Sequence, residues 1–312
     1  SRGPRIVAVG GGTGLATVLK GLKAVTDNLT AVVTMADDGG SSGRLRRELG
    51  IPPPGDARNC IVALSVYEPL IEDLFDYRFT GKGELTGHSL GNLLLAALYD
   101  TQGGFEPALN AAASILGLSG RVIPVSSNEN LILRATVSTG EVLIGESAIG
   151  ASGASVEHLE ILPDDAYVSE SAVEAIAMAD LVVVGPGSLY TSILPNLLVR
   201  GMKETLQACS APIVFVCNVA SQPDETDYID PEDYLRALYR HSQISFTHVL
   251  MNSVLPSVGN GEDYEFVRPR SEIADFKGQT LVHDLIDLSN TVRHDPQKLA
   301  DSILGILKTA TK

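Results

Sequence analysis

One stretch near the start of the chain constrains the fold more than any other. Arg5 to Gly10 (RIVAVG) is apolar and β-branched, and it runs directly into Gly11-Gly12-Thr13-Gly14. From Thr13 to Lys23 the apolar residues fall at helical spacing, at Leu15, Val18, Leu19 and Leu22. Leu29 to Thr34 (LTAVVT) is a second strand-like run. Strand, glycine turn, helix, strand is how a parallel α/β sheet begins, because parallel strands need a crossover and a helix supplies it. Ligands of such sheets bind at the carboxyl ends of the strands, where the first turn lies.

The alternation continues through most of the 312 residues. Asp56 to Glu68 reads as a helix. So does Ser89 to Gln102, with Leu90, Leu93, Leu94, Ala97 and Leu98 on one face, Ser89 as N-cap and Gly103 as stop. Further helices are predicted at Glu106 to Leu116, Ser169 to Met178, Lys203 to Ala208, Pro231 to His241 and Pro296 to about Lys308. Strands are predicted at Asp180 to Val184, Pro212 to Val216 and Thr247 to Leu250. Between 121 and 162 the pattern changes to short β-like runs, with Ser138-Thr139-Gly140-Glu141 as a hairpin turn. The expectation is a single α/β domain over 1–312, a Rossmann-like and mostly parallel sheet flanked by helices, with a small strand-rich insertion at 121–162.

Composition excludes several functions. The net charge of −15 argues against nucleic acid as a partner, since that needs a basic face. No apolar run approaches the ~18 residues of a membrane span, so no membrane insertion is expected. The first residues show no signal-peptide core, which points to a cytoplasmic protein. Cys60, Cys209 and Cys217 have no zinc or redox spacing and read as buried thiols. A phosphate could still be bound locally, by glycine loops and helix N-termini.

Three segments have the composition for that. Gly10, Gly11, Gly12, Thr13 and Gly14 would let the backbone approach a phosphate closely, with the helix N–H groups aimed at it. The run is neither a Walker A loop nor a full dinucleotide fingerprint, which would need glycine where Leu15 stands. Asp37 and Asp38 open a Gly/Ser-rich loop after the second strand, suited to Mg²⁺ beside phosphates or to a ribose hydroxyl. Asp56, in Pro54-Gly55-Asp56-Ala57-Arg58-Asn59, could join them. Gly185, Gly187, Ser188, Thr191 and Ser192 follow a later strand and form a second cradle. Two cradles on one edge imply a ligand with several phosphates, or a phosphate and a polar head. Weaker candidates are the Gly87-His88-Ser89-Leu90-Gly91-Asn92 segment, Asn218 and Asn252 at strand ends, and Tyr264, Arg268, Arg270 and Arg293 for stacking or anion pairing.

These motifs together resemble a family. GGGTG, TMADDGGSSGRLR, PPPGDARN, GHSLGNL and GPGSLYTSILPNL are similar to the YvcK-type gluconeogenesis factors, relatives of the 2-phospho-L-lactate transferases, along essentially the whole chain. The resemblance implies a Rossmann-like nucleotide-binding fold in a cytosolic bacterial protein needed for cell shape and envelope balance on gluconeogenic carbon. It implies a nucleotide sugar of the UDP-N-acetylglucosamine type, or a nucleotide diphosphate, as ligand. The expected binding set is Gly10 to Gly14, Asp37, Asp38, Asn59, Gly185, Gly187, Ser188, Thr191, Ser192, Asn218, Tyr264 and Arg293, with Asp38 and Asp56 as the metal pair for Mg²⁺.

The transferases carry one more carboxylate in the segment matching Gly55-Asp56-Ala57-Arg58-Asn59. A binding and regulatory protein is therefore the first expectation, with catalytic residues unassigned. A metal-dependent transferase acting on a nucleotide diphosphate-activated substrate is the alternative, and an NAD-type dinucleotide binder is a third. A homo-oligomer is left open as a partner state.

Overall fold

The structure is a computed structural model that describes residues 3–222, 226, 228–256 and 264–310. Strand β1 (Ile6–Gly10) leads into helix α1 (Gly12–Leu22) and strand β2 (Leu29–Val33). Helices α2 (Gly40–Leu49), α3 (Gly55–Leu64), α4 (Glu68–Asp76), α5 (Leu90–Gln102) and α6 (Phe105–Leu116) follow, and β3 (Arg121–Pro124) returns to the sheet. After an excursion come α8 (Glu170–Ala177) and β7 (Leu181–Val184), which ends in a π-helical turn (Leu189–Ile193) and the short α9 (Leu194–Leu197). The chain closes with α10 (Met202–Ala208), β8 (Ile213–Val216), α11 (Pro231–Ser242), β9 (His248–Asn252), β10 (Gln279–His283), the ribbon β11 (Ile286–Asp287) and β12 (Asn290–His294), and α12 (Pro296–Ala310). The excursion holds β4 (Ile132–Val137), β5 (Val142–Ile144), α7 (Glu146–Gly150) and β6 (Val156–Leu162).

Seven described strands form one sheet in the order β10-β9-β8-β7-β1-β2-β3, and every pairing in it is parallel. The central strands are covered on both faces and are accordingly near-continuous apolar runs: Ile6, Val7, Ala8 and Val9, and Leu181 to Val184, are at most 2% exposed. From β1 the chain moves outward through β2 and β3, then starts again at β7 on the other side. The order therefore reverses between β1 and β7, and a crevice opens beyond their carboxyl ends.

Several expectations shift. Arg121–Pro124 is the edge strand of the main sheet, paired with β2, so the strand-rich excursion begins at Ile132. Its three strands are antiparallel, in the order β5-β4-β6, with Gly140 at φ +82° in the turn after β4. Their inward faces, including Leu133, Ala135 and Leu159, are continuous with the main core. The helix expected to reach Glu68 stops at Leu64, because Ser65 turns extended and bridges to Leu118; α4 starts afresh with Pro69 in its first turn. The Gly/Ser-rich segment after Asp38 is not a loop. It is α2, packed through Leu45 against Leu93 and Ala96 of α5, and this packing outweighs the poor helix propensity of glycine and serine.

Among the described residues, no helix is long and apolar enough to cross a membrane.

Candidate functional site

The switch point brings the first and third motifs together. Gly185 donates its backbone N–H to the Val9 carbonyl at 3.0 Å, and Asn196 donates from Nδ2 to the Gly10 carbonyl at 3.0 Å. The two loops are packed to the limit. A Cβ on Gly14 would lie 2.2 Å from the Pro186 carbonyl oxygen, and one on Gly11 would lie 2.4 Å from Asp56 Oδ2. Gly12 sits at φ +60°, and Gly187 at φ +154° faces Ser192 and the Gly11 carbonyl. Here the glycines serve backbone contact between loops as well as any approach of a ligand.

The second loop is held by its own side chains. Ser188 caps the π-helical turn by accepting the Thr191 N–H at 3.1 Å, and the two hydroxyls hydrogen-bond each other. Asn218, at the end of β8, clamps Gly187 twice: Oδ1 accepts its N–H at 3.0 Å, and Nδ2 donates to its carbonyl at 2.9 Å. Beside this clamp lies a cavity of about 230 Å³. Thr13, Gly14, Gly187, Asn218, Tyr264 and Arg293 all line it, so six expected binding residues share one cleft. His294 lines it as well, although no sequence pattern singled it out.

The acidic residues separate. Asp56 Oδ1 accepts the Gly12 N–H at 2.8 Å. Burial, opposed by that hydrogen bond and reinforced by the charge of Asp37, pushes its carboxyl up to about 7. Asp37 accepts the Gly39 N–H at 2.8 Å and lies beside Gly55, where a Cβ would be 3.1 Å from its Oδ2. Asp38 is committed elsewhere. Its Oδ1 accepts the Ser147 N–H at 2.8 Å at the start of α7, and its Oδ2 lies against Gly145. The acidic neighbour whose charge Asp56 feels is thus Asp37, while Asp38 ties the small sheet to the rim of the main one. Among the described residues, no three acidic, histidine or cysteine side chains are grouped to hold a metal. A carboxylate pair is still sufficient for Mg²⁺ when phosphate oxygens and water complete its shell.

Asn59 is also drawn away, its Oδ1 accepting from Arg58 at 2.8 Å. Arg58 reaches Ser89 at 2.8 Å and pairs with Asp76 at 3.5 Å. The weaker candidate segment forms a buried polar network: Ser41 Oγ lies 2.9 Å from His88 Nδ1, and Asn92 Nδ2 donates to Ser41 at 3.1 Å. Asn252 is satisfied by Val254 and Leu285, and Arg270 is paired with Asp230 at 2.6 Å. The thiols of Cys60 and Cys217 are buried and pushed up, the latter to about 12, which keeps both protonated and inert near neutral pH.

Fold and cleft define a doubly wound, parallel α/β protein with a glycine-lined crevice at its switch point. Comparison with known proteins narrows the class. A family model described as 2-phospho-L-lactate transferase CofD matches residues 6–293. The gluconeogenesis factor of Bacillus subtilis is 42% identical, over 98% of this chain and 98% of its own. That of Listeria monocytogenes is 40% identical, over 99% of this chain and 97% of its own. A crystal structure of a relative from Bacillus halodurans matches with a TM-score of 0.88 at 39% identity, covering 97% of this chain and 99% of that one. The chain belongs to the CofD family, among its gluconeogenesis-factor members.

Proposed function

We propose that this protein binds a nucleotide diphosphate, of the UDP-N-acetylglucosamine type, in the cleft between β1 and β7. The observation that carries this reading is the convergence of Gly14 and Gly187, from two separate motifs, on one cavity with Tyr264 and Arg293. The α1 N-terminus offers N–H groups and a partial positive charge to a diphosphate. Arg293 adds a cation, and Tyr264 an aromatic face for a base. The strongly acidic chain thereby presents its anion-binding groups locally. In the cell, such binding would serve envelope balance and cell shape during gluconeogenic growth.

The testing experiment is a calorimetric titration with UDP-N-acetylglucosamine, UDP, GDP and NAD, with and without Mg²⁺. A ligand at a hundred times its dissociation constant also stabilises the fold by about 2.7 kcal/mol, so a thermal shift should accompany binding. Tight binding of a uridine nucleotide that Arg293→Ala and Tyr264→Ala both weaken is the expected result. Preference for NAD, or no binding at all, would remove the reading.

One observation favours a second reading, a metal-dependent transferase. Asp56 is buried, feels the charge of Asp37, and touches the phosphate cradle through Gly12. Asp37 and Asp56 are the residues that would hold Mg²⁺. The metal would neutralise charge developing on a transferring phosphoryl group. Binding without turnover remains the first reading, and recovery of the nucleotide sugar unaltered, followed by phosphorus NMR, separates the two.

A further inference from the structure

A second cavity, of about 460 Å³, lies away from the switch point. Helix α11 lines one side of it, and the segments leading into β9 and β10 line the rest. Those segments stand at the amino ends of their strands, whereas the nucleotide cleft lies beyond the carboxyl ends of β1 and β7. Core residues form part of the lining: Ile244, Phe246 and Ile273 are buried, and the Phe246 ring packs on Phe215 with centroids 5.5 Å apart. Tyr239, 58% exposed, and the half-buried Phe276 add two more aromatic rings.

Charged side chains line the same cavity, and two of them neutralise each other. Arg236 is paired with Glu232 at 2.6 Å, and also with Asp233 at 3.0 Å. Asp275 and Lys277 differ. Among the described residues, neither of these side chains has a hydrogen-bond or ion-pair partner, and they do not pair with each other. Asp275 is also held at φ +61°, in a turn closed by the Phe276 N–H on the Ile273 carbonyl at 3.3 Å. Glycine adopts that conformation freely, so an aspartate there is retained at a cost. A cavity of ~300–1,000 Å³ with apolar and aromatic walls and a few polar groups has the form of a small-molecule site. A ligand of one charge sign would be attracted by one of the two free groups and repelled by the other. A ligand carrying both signs satisfies both.

We propose that this cavity is a second small-molecule site, which takes a zwitterionic α-amino acid with an aromatic side chain. The side chain lies among Tyr239, Phe246 and Phe276, the α-carboxylate pairs with Lys277, and the α-ammonium pairs with Asp275. Aromatic rings favour an aromatic guest beyond the area they bury, which sets this class above aliphatic amino acids. The site is separate from the nucleotide cleft and does not depend on what that cleft binds.

The test is calorimetry on the full chain with L-phenylalanine and three truncated probes: 3-phenylpropionate, which lacks the ammonium, phenethylamine, which lacks the carboxylate, and glycine, which lacks the side chain. Wild type should bind phenylalanine, and each truncated probe about tenfold more weakly or less. Lys277→Met keeps the stem without the charge, and Asp275→Asn keeps a residue that tolerates the left-handed backbone. Lys277→Met should bind phenylalanine about tenfold more weakly and phenethylamine no more weakly than wild type does. Asp275→Asn should show the mirror pattern, weakening phenylalanine and sparing 3-phenylpropionate. Absence of phenylalanine binding at about 10 mM would overturn the proposal, since a site of even millimolar affinity would be filled. So would a truncated probe that binds as tightly as phenylalanine, or a variant that weakens both singly charged probes alike. Should a variant fail to fold, the wild-type series decides alone.

Discussion

The carboxylate of Asp56 accepts the backbone N–H of Gly12 at 2.8 Å, joining the first turn of α3 to the first turn of α1. Those first turns are where unpaired N–H groups gather, so one is satisfied from within the protein while its neighbours stay available. The bond also fixes how far the glycine cradle stands from the second motif. Burying the carboxylate there has an electrostatic cost: burial and the charge of Asp37 raise it from 3.8 to about 7, although the Gly12 hydrogen bond pulls the other way.

This cost makes a pH-dependent prediction. With a folded-state value above the unfolded one, Asp56 favours folding when protonated, fully so below about 3.8, and that contribution is lost as pH rises through about 7. The loss is on the order of 4 kcal/mol at alkaline pH. Asp56→Asn keeps an acceptor for Gly12 without the charge. Urea denaturation should find it more stable than wild type at pH 8 by up to about 4 kcal/mol, and little different at pH 4. An equal difference at both pH values would mean that the carboxyl is not raised. Saturating Mg²⁺ and nucleotide should narrow the alkaline gap if Asp56 helps to hold the metal.

Glycines in this fold divide into those that touch and those that do not. Gly14→Ala would drive a Cβ into the Pro186 carbonyl at 2.2 Å, so the loops must part. A loss of about 1–3 kcal/mol in chemical denaturation is expected, with loss of nucleotide affinity beyond it. Gly305, inside α12, has nothing within 4 Å of a new Cβ. Gly305→Ala should therefore stabilise by about 0.5–1 kcal/mol and leave binding unchanged, which makes it the control.

Asp38 is predicted to act on the small sheet. It caps α7 through the Ser147 N–H, so Asp38→Ala should cost about 1 kcal/mol and increase proteolysis between β5 and β6. Both effects should be the same with and without Mg²⁺. A loss of stability that appears only when Mg²⁺ and nucleotide are present would return Asp38 to the metal.

Sequence patterns foreshadowed the central strands and the two glycine loops that meet at the switch point, for a physical reason. Strands buried on both faces must be apolar throughout, and loops pressed against other backbone must be glycine. The edges carry no such demand. Strand β10 is partly exposed along its length and β12 mixes polar with apolar residues, so neither shows a period. The cleft residue His294 was hidden with them. The sequence paired Asp38 with Asp56, whereas the charge that Asp56 feels is that of Asp37, and Asp38 accepts the Ser147 N–H. Composition does not say which of two adjacent carboxylates turns toward a given neighbour. Helix α2 was hidden by propensity, since only its burial against Leu93 and Ala96 makes Gly40–Leu49 helical.

The last prediction sets His294 against Asp56. The His294 ring is lowered from 6.5 to about 4, chiefly by burial, against the Cys217 hydrogen bond that raises it. A depressed value in the folded state means that the neutral ring stabilises the fold above about 6.5, and that this is lost as pH falls toward about 4, because the unfolded chain takes up the proton first. The loss is on the order of 3 kcal/mol and has the opposite slope to that of Asp56. Over pH 4 to 6.5 the two should therefore partly cancel, giving wild type a flat stability profile in that range. His294→Phe should remove the acid-side loss, so its stability rises relative to wild type as pH drops. Asp56→Asn should expose that loss by removing the compensating gain. Denaturation curves for both variants at four pH values check this. Parallel profiles for wild type and His294→Phe would show that the folded ring titrates as the unfolded one does, and that burial does not lower it.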